Sequence, residues 1–74
     1  MKRIYILEGL DCAHCAEEIR AEVEKDEHVK SAGMNFMKQE LTVEAENSCS
    51  PDELMITVTE VVAKLEPDVT VRER

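Results

Sequence analysis

Apolar residues along this chain alternate between two spacings, and the order of that alternation limits the available folds more than any other feature. Lys2 to Leu7 (KRIYIL) is short, β-branched and aromatic, and it stops at Glu8-Gly9, which is the pattern of a strand. From Ala13 the spacing becomes helical: Ala16, Ile19 and Val23 share one face, with acidic residues and Arg20 between them, as far as about Asp26. Strand spacing returns from Val29 to Phe36, where Ala32, Met34 and Phe36 alternate with Ser31, Gly33 and Asn35. It resumes from Glu40 to Ala45, with Leu41, Val43 and Ala45 on one face and a tight turn around Met37-Lys38. The next helix is clearly punctuated. Ser50 stands as N-cap, Pro51 at the first helical position and Glu53 three residues after the cap. Leu54, Val58, Val61 and Leu65 mark its stripe, widened by Met55 and Val62, and Pro67 ends it. Val69 and Val71 supply a short last strand.

The order is therefore β-α-β-β-α-β. Its compact solution is an α+β, ferredoxin-like sandwich with both helices on one face of an antiparallel sheet in the order 4-1-3-2. With 74 residues and no linker or repeat, residues 1–74 read as a single domain. An apolar fraction of 43% beside 35% charged residues suits a globular chain, and only Tyr5 and Phe36 are aromatic, so aliphatic side chains must form the core. The topology also groups the loops. Asp11 to Cys15 should neighbour Phe36 to Lys38 and Glu66 to Asp68, whereas Cys49 and His28 should lie at the opposite pole.

Nine basic against seventeen acidic residues leave a net charge of −8, which argues against nucleic acid or an anionic membrane surface as partner. No apolar run approaches the roughly 20 residues that span a bilayer, and the amino end lacks the pattern of a signal peptide. Three cysteines exclude a complete internal disulfide framework, so free thiols in a reducing, cytoplasmic setting are expected. Such a short chain also suits a binding module better than an enzyme.

The chemistry concentrates in Gly9-Leu10-Asp11-Cys12-Ala13-His14-Cys15, between a strand and a helix start. Two thiols two residues apart converge on one ion when the backbone turns into a helix between them. Cys15 falls in the first helical turn, where free N–H groups favour an anion, so its thiolate is expected to form easily. Gly9 eases the bend. A structural or redox pair is the bland alternative for Cys12 and Cys15, and helix capping or plain solvation is that for Asp11. His14 is expected to face solvent, Cys49 to sit beside the second helix's cap as a bystander, and Met34 and Met55 to pack in the core.

The loop and the order of elements together closely resemble the heavy-metal-associated domain family, over nearly the whole chain. Gly9 to Cys15 is similar to that family's G-M-x-C-x-x-C loop, with Leu10 in place of Met, and the second and third strands resemble its own. The resemblance implies that Cys12 and Cys15 are metal thiolates. Asp11 directly before Cys12, and Pro67 where copper members often carry an aromatic residue, resemble the zinc-, cadmium- and lead-exporting branch of P-type ATPases. Chemistry points the same way. Cu(I) is content with soft donors, whereas Zn²⁺ takes four ligands and accepts carboxylate oxygen beside sulfur. Asp11 thus reads as a third ligand, with the fourth position open to water, Glu66, Asp68 or a partner's residue.

The expected function is to bind Zn²⁺, Cd²⁺ or Pb²⁺ and deliver it to, or regulate, the membrane part of a cognate efflux ATPase, either as an amino-terminal domain or as a free-standing monomeric chaperone. The alternatives are a Cu(I) chaperone or copper-ATPase domain, a thiol-disulfide oxidoreductase, and a structural zinc domain.

Overall fold

The computed structural model describes residues 1–74. Six elements follow in the expected order: β1 (Lys2–Glu8), α1 (Ala13–Glu24), β2 (Val29–Asn35), β3 (Glu40–Ala45), α2 (Pro51–Leu65) and β4 (Thr70–Glu73). The strands form one sheet in the order β2-β3-β1-β4, with every neighbouring pair antiparallel. This is the ferredoxin-like arrangement read from the sequence.

Alternation along the strands explains why the sheet has one covered face. Tyr5 and Leu7 of β1 and Leu41, Val43 and Ala45 of β3 are buried, whereas their neighbours Ile4, Ile6, Thr42 and Glu44 are not. A one-residue slip would turn this whole set to solvent, so the hydrophobic pattern itself enforces the register. Against the buried face α1 contributes Ala16, Ile19 and Val23, and α2 contributes Leu54, Val58 and Val62. Val61, Leu65 and Met55 flank the α2 stripe rather than lead it. Cys49 is part of this core, as are Leu10, Val29 and Val69, and the core includes no charged residue.

Element ends differ from the sequence reading by one or two residues. α1 stops at Glu24 because Asp26 takes over the chain: its carboxylate accepts from the His28 N–H at 2.9 Å and from the Thr57 hydroxyl at 3.5 Å, tying the end of α1 to α2. β2 ends at Asn35, and Phe36 falls in the turn, because Asn35 Oδ1 accepts from the Lys38 N–H at 3.1 Å. β4 begins at Thr70, since the Val69 N–H closes a turn onto the Glu66 carbonyl at 3.0 Å.

The cap of α2 is as the sequence indicates. Ser50 Oγ accepts from the Glu53 N–H at 3.1 Å, the Glu53 carboxylate accepts from the Ser50 hydroxyl at 3.2 Å, and Pro51 opens the helix. Replacing Ser50 by Ala should cost about 1 kcal/mol of stability in urea denaturation, the ordinary effect of losing such a cap.

Tyr5 is fully buried and its hydroxyl has no hydrogen-bond partner. Burial pushes the phenol up to about 12, with Glu73 adding to the effect and Arg3 opposing it. A free phenol titrates near pH 10, so the stability Tyr5 lends is present below about pH 10 and is lost as the pH rises through the folded value. Tyr5→Phe should remove that alkaline decline and gain about 1 kcal/mol at neutral pH by deleting an unpartnered hydroxyl. Urea midpoints of both proteins at pH 7 and pH 11 check this.

Candidate metal centre

The site lies where central strand β1 turns into α1. Gly9 carries a positive φ of 90°, and a β-carbon there would stand 3.6 Å from the Asp68 carbonyl, so the bend and the loop before β4 touch. The Leu10 N–H then closes back on the Leu7 carbonyl at 3.3 Å, and the Leu10 side chain, 2% exposed, anchors the loop in the core. This role asks for apolar bulk, which Leu supplies as well as Met.

Gln39 joins the loop to the β2–β3 turn. Its side-chain amide donates to the Leu10 carbonyl at 2.6 Å, while its own carbonyl accepts from the Leu7 N–H at 2.8 Å. It does so from a left-handed φ of 54°, unusual for a residue that is neither Gly nor Asn. The expected meeting of the three loops is therefore present, with Gln39 rather than Phe36 to Lys38 making the hydrogen bonds. No turn motif in the sequence pointed to Gln39.

Cys12, not Asp11, is the N-cap of α1. Its backbone is extended, its carbonyl accepts from the Ala16 N–H at 2.9 Å, and its sulfur accepts from the Cys15 N–H at 3.3 Å. Capping by Asp11 is thereby excluded. Asp11 stands one residue earlier with its side chain exposed, and no three His, Cys, Asp or Glu side chains are gathered to hold an ion in this arrangement. His14 faces solvent as expected, 84% exposed, with its Nε2 3.3 Å from a Glu18 carboxylate oxygen. Glu66, at the carboxyl end of α2, reaches the Cys15 thiol, whereas Asp68 is exposed.

The two thiols are unequal, and Cys15, expected to ionise more easily than a free cysteine, is raised instead. Cys15 is pushed up to about 12, first by the neighbouring Cys12 sulfur, then by desolvation and by the negative charges of Cys12 and Glu66. Cys12 is lowered, first by the Cys15 thiol and then by the N–H groups of Cys15 and His14. The physical reason is directional: free N–H groups at a helix start point at the capping atom, which is the Cys12 sulfur, and not at a side chain inside the first turn. Both cysteines are half-buried and both are free thiols, so an arriving ion can reach them. Cys49 lies at the opposite pole: its N–H bonds to the Glu46 carbonyl, whose N–H in turn bonds to the His28 carbonyl, and burial pushes its thiol up.

The bend thus sets a sulfur capped by N–H groups beside a second thiol, both open to solvent on one side. The sequence profile of the heavy-metal-associated domain matches residues 4–71, and the chain belongs to that family. It is 34% identical over 76 residues to the cadmium, zinc and cobalt-transporting ATPase of Bacillus subtilis, covering all of this chain but 10% of that protein. Among solved structures, the apo N-terminal domain of ZntA superposes with a TM-score of 0.76 at 22% identity, covering 99% of this chain and 90% of that one. The yeast copper transporter domain CCC2A superposes with a TM-score of 0.75 at 14% identity, covering 99% and 93% of the two chains. These two structural likenesses establish the shared fold.

The inequality of the thiols is directly measurable. With limiting iodoacetamide near neutral pH, the singly alkylated protein should carry its label on Cys12, with Cys15 following and the buried Cys49 slowest, as read by fragment mass spectrometry.

Proposed function

We propose that residues 1–74 act as one metal-binding unit that takes up Zn²⁺, Cd²⁺ or Pb²⁺ through Cys12 and Cys15, with Asp11 as the third donor. The unit then passes the ion to, or regulates, the transmembrane part of a P-type metal-transporting ATPase at the cytoplasmic face of the membrane. The observation that carries this reading is the pair of accessible thiols at the β1–α1 bend, one of them lowered in pKa by its neighbouring thiol and by the N–H groups of the helix start.

Uptake needs little rearrangement at Cys12, because the N–H groups already stabilise negative charge there. Cys15 gives up its proton as the metal–sulfur bond forms, which the charge of the ion offsets. Asp11 sits directly before Cys12 on the exposed rim and swings in to complete a third bond; Glu66, beside Cys15, supplies a fourth donor or holds a water. A shell that closes only partly suits transfer, since an incoming ligand can bind before an outgoing one leaves. No helix is long and apolar enough to cross a membrane, so transport itself falls to other parts of such a protein. The chain spans about a tenth of the ATPase it matches in sequence.

Cu(I) binding is the second reading. It is favoured by the two sulfurs standing without a third grouped donor and by the fold shared with a copper transporter domain. Competition titrations separate the two. Asp11→Ala should weaken Zn²⁺ and Cd²⁺ binding by about tenfold or more and leave Cu(I) affinity unchanged, because loss of a ligand costs at least as much as loss of an outer-shell partner. Equal insensitivity of all three ions would remove Asp11 from the ligand set. Unaltered binding after Cys12→Ser with Cys15→Ser would overturn the proposal outright.

A further inference from the structure

We propose that His14 and Glu18 form a second metal site, separate from the thiols, for a first-row divalent cation of the Zn²⁺ or Co²⁺ type. The two residues are one helical turn apart on α1, so a formed helix presents them side by side without further ordering. His14 Nε2 and Glu18 Oε1 stand 3.3 Å apart. Bonds of about 2.1 Å from one ion to nitrogen and oxygen set those atoms roughly 3.0 Å apart at a right angle and about 3.4 Å apart at a tetrahedral angle. The observed separation is that of an i,i+4 ion pair and falls inside this range, so rotation of the two side chains, with no shift of the helix, aims both atoms at one ion. Both side chains are largely exposed, at 84% and 52%, which leaves room for the waters that fill the remaining positions of a two-donor site.

The donor set decides the class of ion. One imidazole nitrogen with one carboxylate oxygen suits borderline first-row cations; Cu(I), Cd²⁺ and Pb²⁺ gain more from the nearby sulfurs. Glu17 and Glu22 on the same helix add negative potential, although Arg20 engages Glu17 and Lys25 engages Glu22, which leaves Glu18 as the carboxylate paired with an imidazole. His14 precedes Cys15 by one residue, so an ion held here lies at the edge of the thiol loop while using none of its sulfurs. Binding is a substitution of water by nitrogen and oxygen at the metal; no electron moves.

The test uses Co²⁺, whose unpaired electrons broaden nearby amide resonances, added to the full chain carrying Cys12→Ser and Cys15→Ser. Neither cysteine belongs to the buried core, so this variant should keep the fold. Should it not, the intact protein loaded with one equivalent of Cd²⁺ and then titrated with Co²⁺ gives the same readout. The expected result is saturable broadening centred on residues 14–18, weakened about tenfold or more by His14→Ala or Glu18→Gln. Broadening that spreads over the acidic surface without saturating, or that saturates but ignores His14→Ala, would overturn the proposal. The serine variant tests this site by itself; failure of the thiol reading would show instead as an intact protein that ignores Cd²⁺.

Discussion

The hydrogen bond from the Cys15 N–H to the Cys12 sulfur is the interaction on which the character of this molecule turns. Every helix must satisfy its first N–H groups, and a side-chain oxygen usually does so. Here a sulfur takes that place. The same contact thus starts α1 and favours the charged form of Cys12, so one geometric arrangement shapes both the helix and the chemistry of its first sulfur. Its consequence for the second thiol is equally direct: with the Cys12 sulfur beside it and Glu66 close by, Cys15 holds its proton more tightly than an ordinary thiol.

That arrangement is held from three sides. Leu10 is sunk in the core below it, Gln39 grips the Leu10 carbonyl from the β2–β3 turn, and Gly9 lies against the loop that leads into β4. The loop is rigid at its base and open at its rim, where Asp11 and His14 meet solvent. The fifteen-residue apolar core contains neither Cys12 nor Cys15, which separates this design from small zinc domains whose folding depends on the metal.

The surface ion pairs are a secondary matter. Arg20 bridges Glu17 and Glu24 and also approaches the Ala32 carbonyl at 3.5 Å, while Glu24 accepts from the Ala32 N–H, so this cluster fastens α1 to edge strand β2. Lys25–Glu22 is open to solvent on the lysine side, where such a pair contributes little, whereas Arg3–Glu73 is partly covered on both sides. The net charge of −8 bears on solubility and on which ions approach, and not on the fold.

The order of elements, the inward faces of both helices, the Ser50-Pro51 start of α2 and the place of the CxxC loop at the β1–α1 bend were all legible in the chain itself. Each depends on residues within a few positions of one another, where periodicity and capping act. The tertiary structure decided the rest. Gln39 reached Leu10 only because two turns distant in sequence share one end of the sheet, and Glu66 met Cys15 for the same reason. Local reasoning expected the helix start to ease ionisation of Cys15, whereas the Cys15 N–H points at the Cys12 sulfur, and it is Cys12 that is lowered. A proton settles according to every donor and charge that folding brings within reach, and most of those are set by contacts between residues far apart in the chain.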